Sequence, residues 1–235
     1  MNGQTGRHPI FVRVTHWLTV AAFLSLLISG LEVLLSHPRF YWGETGNVAE
    51  TPLFIIPVPA SRSTVPTGYG YVLSDQNGWS RYLHFQSAWL LALTGAAYLA
   101  VGLRSGHLRR ALVPAAADLQ WPAIRDTIVR HVRFPSQSAA DSVSYNLLQR
   151  ITYLTVIFVL VPLVIWTGLA MSPGFTSILP VTVTLLGGKQ SARTLHFAVT
   201  VALTLFLFVH LAMLFLAGFT ARVRAMITSR AEVRP

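Results

Sequence analysis

The sequence predicts an all-α integral membrane protein, a bundle of four transmembrane helices in a single membrane domain spanning residues 1–235. Three observations lead there. The 235 residues are 53% hydrophobic and only 11% charged, with a mean hydropathy of +0.54, a balance too apolar and too charge-poor for a water-soluble domain. Four apolar runs, at about residues 10–35, 82–103, 150–171 and 194–221, each reach the ~20 residues a helix needs to cross the hydrocarbon of a bilayer. Most arginines flank these runs, as expected of residues that orient membrane helices.

The first run carries Arg13 and Glu32 near its ends. It is too long for the apolar region of a signal peptide, and no small-residue cleavage site closes it, so it is expected to remain as a span. The connection 36–81 contains five prolines with Trp42, Tyr69, Tyr71 and Trp79. Aromatics are scarce in disordered segments, so this stretch is expected to form an ordered cap. The second span, 82–103, has no charged residue. The connection 104–149 places Trp121, Ile124, Ile128 and Val132 at helical spacing, with Arg125, Asp126, Arg130 and His131 on the other face. That pattern predicts an interfacial helix whose basic face meets anionic lipid headgroups. The third span is 150–171 and the fourth 194–221. No internal repeat or low-complexity tract is evident.

Lys and Arg counts orient the bundle. Thirteen arginines lie in the N-terminal segment, the 104–150 connection and the C-terminal tail. The other side carries five basic residues: Arg39, Arg62, Arg81, Lys189 and Arg193. The positive side faces the cytoplasm, so both termini are expected there. The formal charge of +10 does not signal nucleic acid, because the basic residues are short flanks of spans rather than a patch on a soluble face.

Four histidines lie on these spans: His16, His84, His196 and His210. His196 and His210 are fourteen residues apart on one run. That is close to four whole helical turns, so both rings leave one face, separated by about 21 Å along the axis. In the orientation above, His84 and His196 lie near the outer face, and His16 and His210 near the cytoplasmic face. Each pair can offer two imidazoles at one height from facing helices, which is what a bis-His haem requires. The expectation is two haem b groups, with His84 and His196 as iron ligands of the outer one and His16 and His210 as those of the inner one. A lone intramembrane histidine can equally be a hydrogen-bonded structural residue; four at two matched heights favour ligation. Cysteine is absent, which excludes thiolate ligands, iron–sulfur clusters and covalently attached haem. His8, His37, His107 and His131 are expected to be solvated and are given no role. The third span has no histidine and is left with packing or a substrate site.

Arg13, Arg81 and Arg193 each precede a ligand candidate by three residues, one helical turn nearer the surface. They are candidate partners for haem propionates, since Arg suits carboxylates, although arginines at span ends also snorkel to the surface. Gly30, fourteen residues after His16, is a candidate for making room for a flat macrocycle at the outer depth, and Gly95 with Ala96 at the inner.

Several segments carry a resemblance. Arg13-Val14-Thr15-His16-Trp17 followed by Ser29-Gly30, then His84, the Tyr145–Tyr153 segment, and His196 with His210 resemble the bacterial di-haem cytochrome b family. That family includes cytochrome b561 and the b-type subunits of Ni-Fe hydrogenase, formate dehydrogenase and thiosulfate reductase. The resemblance spans about residues 8–220. It implies an inner-membrane electron-transfer subunit that moves electrons between quinone and a periplasmic redox enzyme, with a molybdenum enzyme as the leading candidate by analogy. It also implies a quinone site at the cytoplasmic start of the third span, on Asn146, Gln149, Arg150 and Tyr153, whose side chains can hydrogen-bond a quinone or merely anchor the span at the interface. Two alternatives stand beside this reading. One is a stand-alone di-haem superoxide:quinone oxidoreductase, with Arg81, Lys189 and Arg193 forming a basic mouth for an anion. The other is a haem carrier or membrane anchor, which two doubly ligated haems argue against. Two arginines near the outer haem against one near the inner would raise the outer potential and favour flow from quinol outward.

Overall fold

The computed structural model describes residues 9–46, 49–57, 76–114, 121, 125, 147–216 and 218–228. Four helices in it are long and apolar enough to cross a membrane: Ile10–Ser36, Gly78–Arg104, Gln149–Ala170 and Lys189–Leu216. In chain order the elements are α1 (Ile10–Ser36), β1 (Arg39–Phe40), β2 (Phe54–Ile55), α2 (Gln76–Arg104), α3 (His107–Ala111) and α4 (Leu147–Thr155), then a π-helical turn over Val156–Leu160. There follow α5 (Val161–Ala170), α6 (Pro173–Ile178), α7 (Val181–Thr184), α8 (Lys189–Leu216) and α9 (Phe219–Thr228).

The boundaries refine the apolar runs for local reasons. The third span is not one regular helix. Pro162 lacks an N–H and crowds the preceding turn, and the widened π turn directly before it absorbs that misfit. The fourth run is two helices rather than one span over 194–221. Gly218 sits at φ 91°, a left-handed conformation that ends α8 and lets α9 start afresh. Its N–H bonds the Phe215 carbonyl at 3.3 Å. The expected interfacial helix falls mostly outside the described residues; Trp121 and Arg125 have helical backbone and exposed side chains. His8 and His131 also lie outside them.

The chain divides into two compact units. The first is Val14–Gly95 with Leu163–Ala202; the second is Met1–Arg13, Ala96–Pro162 and Leu203–Pro235. In the first, Ala170, Val183, Leu186 and Ala192 form a buried cluster against which Met171 and Leu195 pack. The expected cap is ordered where it is described. Antiparallel β1 and β2 pair Arg39 with Ile55 and Phe40 with Phe54, and the Phe40 and Phe54 rings stack at 4.7 Å. Phe40 also lies 4.6 Å from Phe197 of α8.

In the second unit, Arg13 donates to the Ile227 carbonyl at 2.7 Å, which satisfies a last-turn acceptor of α9 that the helix itself leaves open. His107 is not simply solvated. Its ring meets Phe11 edge-on at 5.3 Å and Tyr98 at 6.4 Å, and burial followed by the nearby Arg110 lowers its pKa.

Candidate functional site

The first unit builds its site from the start of α8. The leading N–H groups of a helix lack partners within it, and here the segment between α1 and β2 supplies them. The Lys189 N–H bonds the Glu44 carboxylate at 3.1 Å, and the N–H groups of Gln190 and Ser191 bond the Gly43 carbonyl at 3.0 and 3.2 Å. In return the Gly43 N–H donates to Ser191 Oγ at 2.7 Å. A Cβ on Gly188 would stand 2.4 Å from the Gly43 backbone, and Gly188 has φ 113°, so only glycine fits this approach. Further along, Thr194 donates to the Tyr41 carbonyl at 2.7 Å and Arg193 donates to the His37 carbonyl. These bonds fix the first two turns of α8, and His196 comes next on it.

His196 leans on α5. Its Nδ1 is 2.9 Å from Thr167 Oγ1, and a Cβ on Gly168 would stand 3.4 Å from its Cε1. His84, on α2, leans on α1 in the same manner. Its Nδ1 is 3.0 Å from Ser29 Oγ, and a Cβ on Gly30 would lie 3.5 Å from its Cε1. Ser29 and Thr167 are both fully buried. Counting protons assigns the tautomers. A hydroxyl has one proton. The Ser29 hydroxyl lies 2.7 Å from the Ser25 carbonyl and the Thr167 hydroxyl 2.8 Å from the Leu163 carbonyl. A carbonyl can only accept, so each hydroxyl donates to its own helix. Each oxygen then accepts from an imidazole Nδ1–H, and the Nε2 lone pair of both rings is left for another bond. The two rings stand with centres 6.2 Å apart and planes at 61°.

The model of the prokaryotic cytochrome b561 family matches residues 7–229 of this chain. The chain belongs to the prokaryotic cytochrome b561 family. It is therefore a multi-pass membrane protein, a helical bundle and a haem-b electron-transfer subunit, the family that its residues resemble. A putative protein-methionine-sulfoxide reductase subunit, YedZ1 of Azospira oryzae, is 32% identical over 218 residues, covering 91% of this chain and 92% of that protein. No solved structure matches the chain significantly.

The donor set of this cytochrome b561-family protein fits a haem. A metal bound ~2 Å from one nitrogen of each of two imidazoles places their centres roughly 6 Å apart, and the His84–His196 separation of 6.2 Å agrees. Outward hydrogen bonds at Nδ1 are also what metal-ligating histidines usually make.

The other residues singled out from the sequence fall as follows. His16 is half-buried on α1, its ring 5.3 Å from that of Trp17. His210 is half-buried on α8, its ring stacked on Phe206 at 5.8 Å. These two fall in different units. Gly30 lies against the edge of the His84 imidazole, whereas a Cβ on Gly95 meets no described atom within 4 Å. Arg193, besides its bond to the His37 carbonyl, lies 5.0 Å over the Phe40 ring. Lys189 pairs with Glu44 at 3.9 Å, and Arg81 is exposed. The basic mouth is thus partly engaged with the cap. Gln149, Arg150 and Tyr153 are half-buried on α4, where Arg150 donates to the Val113 carbonyl at 3.3 Å; Asn146 lies outside the described residues.

Two sequence expectations need correcting here. The third span does more than pack, because its Thr167-Gly168 pair seats His196. His37 is half-buried rather than solvated, its Nδ1 3.4 Å from the Val33 carbonyl. Burial, and then the charges of Arg193 and Arg81, hold its pKa below the ordinary imidazole value. Sequence reasoning also passed over Ser29 as a histidine partner. The available signal was the Ser-Gly and Thr-Gly dipeptides on the two spans that lack a ligand at that depth.

Proposed function

We propose that the protein carries electrons through two b haems between the quinone pool and a redox enzyme on the periplasmic face of the inner membrane, with both termini cytoplasmic. The observation that carries this reading is the His84–His196 pair, two rings at metal-bridging separation with both Nδ1 atoms tied to buried hydroxyls. His84 and His196 offer their Nε2 atoms to the outer haem. By the fourteen-residue spacing on α8, His16 and His210 do so for the inner one. Bound haem supplies one-electron carriage between ferrous and ferric iron.

The protein's own residues supply the rest. Arg81 and Arg193 place positive charge one turn beyond His84 and His196, where propionates would emerge, and Arg13 does so for His16. Gln149, Arg150 and Tyr153, with Asn146, offer donors and acceptors to a quinone at the start of α4. The relative from Azospira oryzae, a putative protein-methionine-sulfoxide reductase subunit, supports a partner that reduces methionine sulfoxide; a molybdenum centre in that partner rests on the family analogy. Reduction at the outer face needs electrons delivered outward, so the direction is from quinol through the inner haem to the outer.

Haem quantification on purified single mutants tests the pairing. His84→Ala and His196→Ala should each lose the outer haem, about half of the pigment, and His16→Ala and His210→Ala the inner haem. A protein that purifies without colour, or His84→Ala retaining both haems, would refute the assignment. Gln149→Ala should slow haem reduction by quinol roughly 10-fold without loss of pigment; unchanged kinetics would remove Gln149 from the quinone site.

A further inference from the structure

The two candidate ligands of the outer haem are held by a device that occurs twice. On α1 it is Ser29-Gly30 under His84; on α5 it is Thr167-Gly168 under His196. In each, a fully buried hydroxyl meets Nδ1 at 2.9–3.0 Å, and the glycine that follows lets the Cε1 edge of the ring come within contact of its helix backbone. Each histidine sits on the helix that follows its seat among the spans, so α1 serves α2 as α5 serves α8. The chain has no sequence repeat at this period, yet the two halves of the outer site are built alike.

We infer that Ser29 and Thr167 are positioning residues that lock both outer ligands in the Nδ1–H tautomer and set the electron affinity of the outer haem. The inference rests on the reading of His84 and His196 as haem ligands. Its physics lies in the acceptor. An acceptor at Nδ1–H raises the basicity of the ligating ring and so favours ferric over ferrous iron. A carboxylate there would push strongly, towards an imidazolate. A hydroxyl pushes weakly, and it is neutral, which suits a site among apolar helices where an unpaired charge would be expensive. Because each hydroxyl proton is engaged by its own helix at 2.7–2.8 Å, the oxygen cannot turn and donate to Nδ1. The Nε2–H tautomer, which leaves no lone pair on Nε2 for iron, is thereby disfavoured before haem arrives. The matched seats distribute this effect over both axial ligands.

Redox titration of the purified, haem-loaded protein tests the inference, with optical resolution of the two haems. Thr167→Val keeps the side-chain shape and removes the acceptor; Ser29→Ala removes the other one. Each should raise the midpoint of the outer haem and leave the inner haem unchanged. Their combination should raise it further, and Thr167→Ser should restore the native value. Haem affinity at the outer site should fall about 10- to 100-fold in the two single variants, and loss of the outer haem alone, rescued by Thr167→Ser, counts as the same result. If Thr167→Val does not fold, Ser29→Ala gives the reading. Outer midpoints equal to the native value in haem-replete Thr167→Val or Ser29→Ala would overturn the inference while leaving the ligand assignment intact. Retention of both haems by His84→Ala would overturn the ligand assignment instead.

Discussion

Two histidines of one unit make contacts of a different kind from two of the other. In the unit Val14–Gly95 with Leu163–Ala202, His84 and His196 are oriented by hydrogen bonds to buried hydroxyls and seated on glycines. In the other, His107 and His210 sit beside aromatic rings, Phe11 and Tyr98 for the first and Phe206 for the second, as His16 of the former unit does beside Trp17. A contact between two rings does not by itself choose which imidazole nitrogen carries the proton. A ring tied at Nδ1 and pressed against a glycine has its plane and its tautomer fixed. The contrast teaches where precision is invested. The paired hydroxyl and glycine stand where two imidazoles face each other.

The largest test of this contrast is to fill a seat. Gly168→Leu places a branched side chain where a Cβ alone already lies 3.4 Å from His196. It should displace the ring and abolish the outer haem, whereas Gly174→Leu, at an exposed position with no described atom within 4 Å of its Cβ, should leave both haems in place. Equal pigment in the two variants would show that the glycine seat is dispensable. A smaller effect is expected from Gly188→Ala, which forces a side chain into the Gly43 backbone at positive φ. It should destabilise the clipped start of α8 by on the order of 2 kcal/mol, read as a lower thermal midpoint in detergent and a weaker outer haem signal. Wild-type stability would show that the approach of Gly43 to α8 relaxes freely.

The smallest effect concerns His37. Its folded pKa lies below the unfolded value of about 6.5 because burial and two arginines oppose the charge. The native state therefore binds fewer protons than the unfolded one, and stability should fall as pH drops below about 6.5. His37→Gln should flatten that dependence, measured as thermal midpoint against pH; an unchanged slope would assign it to other groups.

The sequence by itself determined the membrane class, the four spans, the four span histidines and the family, because hydropathy and helical periodicity are local properties that a linear text records. Its errors were local as well. The run 194–221 hid the break at Gly218, since glycine in an apolar stretch signals nothing until its φ is known. Only the tertiary structure decided which nitrogen of His84 and of His196 is engaged and what engages it. Ser29 is 55 residues from His84, and Thr167 is 29 from His196. Small hydroxyl residues and glycines are common at membrane helix interfaces, and Thr94-Gly95 is a like pair, so the dipeptides alone do not single these four out. They acquire a role when a neighbouring helix brings an imidazole against them, because a hydrogen bond is defined by distance and direction in space, which spacing along one helix does not encode.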